Sequence, residues 1–420
     1  MCNYLCCTYP NLYNKNEVYK GKILKIAIIG SGISGLSAAY YLSDQHEVDL
    51  FEKDSRLGGH THTHTLELEK KIRVDSGFIV MNDRNYPLLT KLFLELEIEL
   101  HPTSMSFSVD TENISWSSEE FKKFRFFNSL KKIRIFLEMV RFNNIASNVD
   151  SNGSIEDWLR EKKFSEFFKK NYVYPMSASI WSSSQESISR FPMKSFSRFF
   201  NNHGLLDLIK RPQWFSVLGG SNTYIEKLIN HSKINNVFKN AHVSIKREKE
   251  KVFVLNNDIE NQYDVIIFAC HANQVGAIVD DMSSEEQEIL SMFEYTTNNA
   301  LLHHDQNLMP NEKSLWSSWN SFKNNKYDYV SYWMNNLQKL DIERDIFVTL
   351  GNYPDVDEEK VFKRIKYEHP LYSEQTIKGQ KLIRSIQGNR KTYFTGAHLG
   401  YGFHEDGIKS SLEVIKIING

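Results

Sequence analysis

The sequence predicts an α/β protein: a doubly wound parallel sheet, discontinuous along the chain, into which a mixed helix and sheet domain is inserted. Three observations carry this. Over residues 25–52 a short apolar strand, a glycine-rich turn, a helix and a second strand follow one another. A run at 263–270, YDVIIFAC, apolar but for Asp264, reads as another buried strand of the same sheet, far along the chain. Between and after these lie stretches of different character, dense in aromatic and basic residues. The predicted boundaries are a tail at 1–22, a dinucleotide-binding domain from 23–100, 213–295 and 386–420, and a substrate domain from 101–212 and 296–385.

The opening unit is the most specific. Ile26, Ala27, Ile28 and Ile29 lead directly into Gly30-Ser31-Gly32-Ile33-Ser34-Gly35, a GxGxxG turn between strand and helix. Gly30 allows the tight turn, Gly32 lets backbone N–H groups approach a pyrophosphate, and Gly35 lets helix and strand pack closely. The helix N-terminus turns its partial positive charge toward the phosphates. Val48-Asp49-Leu50-Phe51 then ends at Glu52, where an acid accepts hydrogen bonds from ribose hydroxyls. Beyond it comes a second glycine pair, Arg56-Leu57-Gly58-Gly59-His60-Thr61, which a simple NAD site does not require.

His60, His62 and His64 would share one face of a strand, a pattern that could serve a metal. No partner ligand is identifiable, so the segment is read as the chain leaving the diphosphate and no metal site is assigned. Residues 72–80, IRVDSGFIV, form a strand interrupted by Gly77, where a ligand or another backbone approaches. Tyr86-Pro87 opens an amphipathic helix. From 101 the chain offers a hairpin (105–109 with 114–116), one long helix at 119–148, and further helix at 154–170 capped by Ser154. On the long helix Phe121, Phe124, Phe127, Leu130, Ile133, Leu137 and Val140 trace an apolar stripe among seven lysines and arginines. That composition suits a membrane-surface helix, and equally a cap packed on its own domain.

Residues 172–220 are rich in aromatic, Met and small polar side chains, the makings of an apolar pocket with a few placed polar groups; Trp181, His203 and Trp214 are its polar-capable members. Cys270-His271 pairs a thiol with an imidazole in sequence, but with no third group the better reading is a buried structural thiol. Strands are expected at 300–304, 314–319, 329–334 and 346–350. The chain closes with residues 393–407, YFTGAHLGYGFHEDG, and a helix whose N-terminus would face developing negative charge.

Composition narrows the function classes. A net charge of −1 and a pI of about 6.9 supply no field to recruit nucleic acid. No uninterrupted apolar run reaches spanning length, so no ordinary transmembrane helix is expected. Four cysteines, three of them at Cys2, Cys6 and Cys7, make no disulfide framework for 420 residues. A reducing cytoplasmic setting is expected, with peripheral contact to the inner face of a membrane through 119–148.

The motifs GSGISGLSAAYYLS, RLGGHTHT, VDSGFIVMNDRNYP, MSFSV, YPMSASIW, FPMKSFSRFFNNHGLL, RPQW, VLGGS and GYGFHEDG occur in this order. In this the chain, from about Lys25 onward, resembles a bacterial family of FAD-dependent, amine-oxidase-like oxidoreductases. The resemblance implies a Rossmann-type domain holding FAD. It assigns cofactor contacts to Gly30, Ser31, Gly32, Ser34, Gly35, Glu52, Lys53, Arg56, Gly58, Gly59, His60, Gly77, Val243, Gly396 and Gly407. His404 and Glu405 are the candidates for proton handling near the flavin. Genes of the family often neighbour cyclopropane-fatty-acid-synthase-like methyltransferases, which implies oxidation or desaturation of a lipid-like, modified fatty-acyl substrate by hydride transfer to flavin N5. Amine oxidases carry an acid after the glycine of the C-terminal strand; this chain has Ala397. Amine or polyamine oxidation is therefore the alternative, and a lipid- or methyltransferase-binding protein with structural FAD is a further one.

Overall fold

The computed structural model describes residues 21–420 except 124, 150–152, 182–184 and 208–210. Of the expected tail, residues 1–20 with Cys2, Cys6 and Cys7 lie outside the described residues.

Strand β1 (Lys25–Ile29), helix α1 (Ile33–Leu42) and strand β2 (Glu47–Phe51) form the opening unit. β1 is the middle of a five-stranded parallel sheet, in the order Asn236–Phe238, β2, β1, Val265–Phe268, Thr392–Phe394. Because successive side chains alternate between faces, the apolar runs serve two layers at once. Ile26, Ile28, Val48, Leu50 and Ile267 pack with α1, the helix Asn222–Asn230 and the C-terminal helix His404–Asn419. Ala27, Ile29, Phe51, Ile266 and Phe268 face an antiparallel meander, Val243–Arg247, Val252–Asn256 and Ile259–Tyr263, and two short helices. The architecture is α/β with a Rossmann-like domain.

A second, seven-stranded sheet runs Val361–Pro370, Tyr295–His303, Phe347–Asn352, Asp328–Trp333, Trp319–Lys323, Phe107–Thr111, Ser115–Ser117. All its pairs are antiparallel except Trp319–Lys323 with Phe107–Thr111. One face covers Ile72 and Val74 of the hairpin Thr63–Glu67 and Lys71–Asp75, which ties this sheet to the exit of the glycine pair. Helices drawn from residues 118–202 form a third layer around an aromatic core that includes Trp116, Phe142, Phe168, Phe196 and Phe200.

Four elements differ from expectation. The ten-residue strand Val361–Pro370 was not foreseen, because VFKRIKYEHP interleaves Lys, Arg and Glu with its apolar residues. The strand expected at 314–319 is a 3-10 turn at Lys313–Leu315, followed by Trp319–Lys323. The single helix at 119–148 is three pieces: Ser118–Lys122, a 3-10 turn Arg125–Asn128, and Leu130–Ala146. Phe124 lies outside the described residues. Ser117 and Ser129 each sit at an N-cap, their hydroxyls accepting from the N–H of Glu120 and Lys132, so the chain starts a helix twice. Similarly, 154–170 resolves into Ile155–Glu161, capped by Ser154, and Glu166–Phe168, which runs through a π turn into Tyr174–Trp181. Among the described residues no helix is long and apolar enough to cross a membrane.

Candidate active site

The glycine turn shows where a ligand can and cannot go. Gly30 has φ +106°, and a Cβ there would stand 2.9 Å from the backbone of Ala269 and Cys270. A Cβ on Gly35 would lie 1.9 Å from the Gly30 carbonyl oxygen, so α1 rests directly on the turn. Gly32 is the exception: a Cβ there would meet nothing within 4 Å. The open space therefore lies over Gly32, at the N-terminus of α1, where backbone N–H groups and the helix dipole favour an anion.

Glu52 stands beside this space. Its Oε2 accepts from the backbone N–H (2.9 Å) and hydroxyl (2.5 Å) of Ser31, and Oε1 accepts from Asp54 N–H (2.9 Å). The carboxylate is held in place with lone pairs left over. The second glycine pair closes on the first: Gly58 N–H donates to the Ser31 carbonyl (3.0 Å), and a Cβ on Gly59 would be 3.1 Å from Gly32 Cα. Arg56 reaches the Thr61 carbonyl at 3.3 Å, whereas Lys53 is exposed. Ser34 is buried; its carbonyl accepts from the Ser411 hydroxyl, and Gly407 packs against Ile33 and Ser34 where no side chain would fit. The last helix is thus locked onto the first at the N-termini of both. Gly396 N–H donates to the Ser410 hydroxyl at 3.0 Å, and Val243 begins the meander, half-buried.

Gly77 marks a second close approach, since a Cβ would stand 1.9 Å from the His60 carbonyl oxygen. The His60 ring leaves that crossing toward His369 (ring centroids 5.1 Å), Tyr367 (5.3 Å) and His271 (5.8 Å). His60 Nε2 is buried without a hydrogen-bond partner. Burial holds the His60 and His271 pKa below the ordinary imidazole value, and pushes His369 down to about 4 and His398 to about 3. At neutral pH this nest is uncharged, able to give or take a hydrogen bond. His62 and His64 lie at its edge, their tilted rings 4.0 Å apart and His62 Nδ1 3.2 Å from the Tyr367 hydroxyl. Among the described residues no three His, Cys, Asp or Glu side chains are grouped as metal ligands.

The two candidates for proton handling receive different work. His404 stacks on Phe78 at 3.8 Å, and its Nε2 is 2.9 Å from the Tyr224 hydroxyl and 3.0 Å from Thr61 Oγ1. Thr61 and Tyr224 are also bonded to each other, so the glycine-pair loop, the helix Asn222–Asn230 and the last helix meet in one polar triad. Burial pushes the His404 pKa to about 3. Glu405 instead points at the helix Pro87–Glu95, accepting from Leu88 N–H (3.0 and 3.1 Å) and Leu89 N–H (3.0 Å). It caps a neighbouring helix, as the sequence spacing could not show. Asp406 likewise accepts from Tyr401 N–H and Phe403 N–H. Burial raises Glu405 to about 7 and Asp406 to about 6.

Asp75 escaped the sequence reading. Fully buried, it accepts from the hydroxyls of Thr63 and Ser221, the Ser221 N–H and Gln338 Nε2, fixing the strand before Gly77 to the loop at 219–221. Tyr224, Tyr367 and His369 escaped it too; the last two sit on the unforeseen strand. Burial pushes the Cys270 thiol up to about 12, and His271 pairs with Glu368 (3.2 Å) and stacks on Tyr295, so no nucleophile pair forms.

The aromatic stretch divides. Phe196, Phe199 and Phe200 are core, and His203 is stacked on Phe199 with Nδ1 bonded to that residue's carbonyl. Trp214 lies in a strand joining Met81–Asn82 to Leu100–Thr103. Trp181, Ile188 and Phe191, with Leu371 and Tyr372 from the far side, line a cavity of about 320 Å3. The Tyr372 hydroxyl is buried without a partner and presses on Gly402, just before the last helix.

Comparison with known proteins agrees with this geometry. Residues 28–96 match the NAD(P)-binding Rossmann-like domain. The zeta-carotene desaturase of Zea mays is 54% identical over 44 residues, and that of Solanum lycopersicum 52% over 44, each match covering 10% of this chain and 8% of the relative. Over nearly the whole chain the likeness is structural. Putrescine oxidase bound to putrescine superimposes with a TM-score of 0.67 at 14% identity, covering 94% of this chain and 99% of that one. A CLA-producing fatty acid isomerase from P. acnes gives 0.68 at 15% (96% and 99%), and cyclohexylamine oxidase from Brevibacterium oxydans 0.64 at 13% (95% and 99%). The fold is the amine-oxidase-like one, shared by proteins whose names span amines and fatty acids.

Proposed function

We propose, with the amine-oxidase-like fold as premise, that this protein is an FAD-dependent oxidoreductase that removes hydride from a C–H bond of a lipid-like, fatty-acyl substrate. The observation that carries the cofactor is the open space over Gly32, bounded by turns in which no other side chain fits and faced by the anchored Glu52. These residues fit a dinucleotide. Gly30, Ser31, Gly32, Ser34, Gly35, Gly58 and Gly59 would hold the diphosphate. Glu52 would hold the ribose, and Gly77, Gly396 and Gly407 would lie along the chain's closest backbone approaches. When bound, FAD supplies a hydride acceptor at N5.

The protein's own part is orientation, desolvation and electrostatics. The N-terminus of the helix His404–Asn419 presents a partial positive charge where negative charge develops. The uncharged histidine nest offers hydrogen bonds without adding a cation. What supports an acyl substrate over an amine is the occupation of three acids: Glu405 and Asp406 cap backbone N–H groups, and Glu368 pairs with His271, which leaves Glu294 at the cavity wall as the one acid an ammonium could meet there. In the cavity Trp181, Ile188, Phe191, Leu371 and Tyr372 suit a chain of methylenes, and Arg190 beside them suits a carboxylate or phosphate head. A second reading, amine oxidation, is favoured by the putrescine and cyclohexylamine oxidases among the structural neighbours.

Denaturing the purified protein should release FAD; anaerobic mixing with methyl-branched or unsaturated phospholipids should bleach the flavin absorbance, and spermine or benzylamine should not. Reduction by an amine and by no lipid would replace the acyl reading with the second. A bound flavin that none of them reduces would leave a lipid- or methyltransferase-binding protein.

A further inference from the structure

Part of the apolar stripe at 118–146 faces away from the protein, while Phe121 and Ile133 pack on the aromatic core. In the piece Leu130–Ala146 the buried side chains are Ile135, Met139, Phe142, Asn143 and Ala146. At 100° per residue, Leu130, Arg134, Leu137 and Arg141 fall on the opposite face. Leu130 is 85% exposed and Leu137 62%, and Phe127, on the preceding turn, is 63% exposed. These three stand within eleven residues; among the described residues the other exposed large apolar side chains are single or, at Leu255 and Ile259, a pair. A concentrated exposed patch of this kind marks a contact surface.

The charge around the patch says with what. Residues 118–146 hold seven Lys and Arg against three Glu, in a chain whose net charge is −1. Exposed Lys122, Lys123, Arg125, Lys131, Arg134 and Arg141 surround the apolar side chains. Lys122 and Arg134 are paired with Glu119 and Glu138, Lys131 reaches only a carbonyl, and Lys123 and Arg125 have no acidic partner among the described residues. A second copy meeting this face would bring the same positive charge against it. An anionic lipid surface complements both properties.

We propose that this face docks on anionic membrane. Phe127, Leu130 and Leu137 enter the boundary between headgroups and acyl chains, and Lys123, Arg125 and Lys131 meet the lipid phosphates. The helix lies in the plane of the surface and does not cross it, held on its other side by Phe142 and Met139 in the aromatic core. Docking depends on this surface alone, whatever the flavin site oxidises.

The test uses the full-length protein and sedimentation with vesicles of phosphatidylcholine alone or mixed with phosphatidylglycerol. Binding should need the anionic lipid and fall as salt rises. Lys123→Gln, Arg125→Gln and Lys131→Gln together should weaken it by on the order of fivefold per cation. Leu130→Gln with Leu137→Gln should weaken it by roughly tenfold or more. All five positions are exposed, and unchanged circular dichroism and melting will show that the fold is intact. Equal binding to neutral and anionic vesicles, binding that survives both sets of substitutions, or a dimer in sedimentation equilibrium that the leucine substitutions dissociate would overturn the proposal.

Discussion

The nucleotide-type half and the helical layer are built on opposite principles. Around Gly30, Gly35 and Gly77 the structure is fixed by backbone against backbone, at distances that exclude even one methyl group. In the layer containing Leu130–Ala146 it is fixed by interlocked aromatic side chains such as Phe142, Trp158, Phe164 and Phe168. A backbone crossing writes itself into sequence as an obligatory glycine at fixed spacing, whereas an aromatic core accepts many arrangements of similar volume. The first kind of structure tolerates no substitution; the second tolerates substitution at a cost.

Gly30→Ala should have the largest effect, because it adds backbone strain to a 2.9 Å approach; the purified variant should lack flavin absorbance, and retention of normal flavin content would refute the backbone argument. Phe142→Ala should cost about 3–5 kcal/mol in denaturant unfolding. The variant that still folds should carry flavin in full, and loss of flavin without loss of stability would show the two halves to be less distinct than drawn.

Acid should act on the histidine-rich interior. His203, His303 and His369 are pushed down to about 4 by burial, His398 and His404 to about 3. Unfolding returns each to about 6.5, so the unfolded chain takes up protons that the folded one refuses, and stability falls as pH drops below that value. Asp75, Glu405 and Asp406, raised to about 6, 7 and 6, work in the opposite direction. They gain protons in the fold before the unfolded chain does, which offsets part of the loss down to about pH 4.5. The melting temperature should therefore decline gently from pH 6.5 to 4.5 and steeply below. A rise on acidification would show that the carboxyls dominate.

The smallest effect sharpens the site itself. Glu405→Gln keeps one acceptor for the Leu88 and Leu89 N–H groups and should cost about 1 kcal/mol, with flavin reduction by lipid unchanged. His404→Ala breaks the link to Thr61 and Tyr224 and should slow reduction more than it weakens FAD retention. The reverse ranking would restore Glu405 to the chemistry.

The same contrast explains what could be read in advance. β1, α1, β2 and the glycine pairs were legible because apolar run, GxGxxG and terminal acid all constrain one another. The strand Val361–Pro370 was not, since half of its residues face solvent and charge hides the alternation; with it went Tyr367 and His369. Glu405 was chosen with His404 because the closing motif places both where chain and flavin should meet; its bonds to the Leu88 and Leu89 N–H groups were not legible, since neighbouring residues on a helix point about 100° apart. The stripe read from Phe121 to Val140 assumed one continuous helix; the structure breaks it, buries Phe121 and leaves Phe127, Leu130 and Leu137 outside, because which side of a helix faces home depends on its partners, here met by Ile135, Met139 and Phe142.

The five-stranded sheet has one more consequence, and it concerns time. β1 needs Val265–Phe268 as its neighbour, that strand needs Thr392–Phe394, and α1 is covered by His404–Asn419. During synthesis at about 5–20 residues per second, the first helix must wait on the order of tens of seconds for its cover. Until Val265–Phe268 has emerged, the apolar edge of β1 is open to any other strand, and until His404–Asn419 has emerged, the side of α1 that this helix covers is bare. The nascent chain is thus a natural client for a holding chaperone, and a chain halted before residue 390 should accumulate as aggregate.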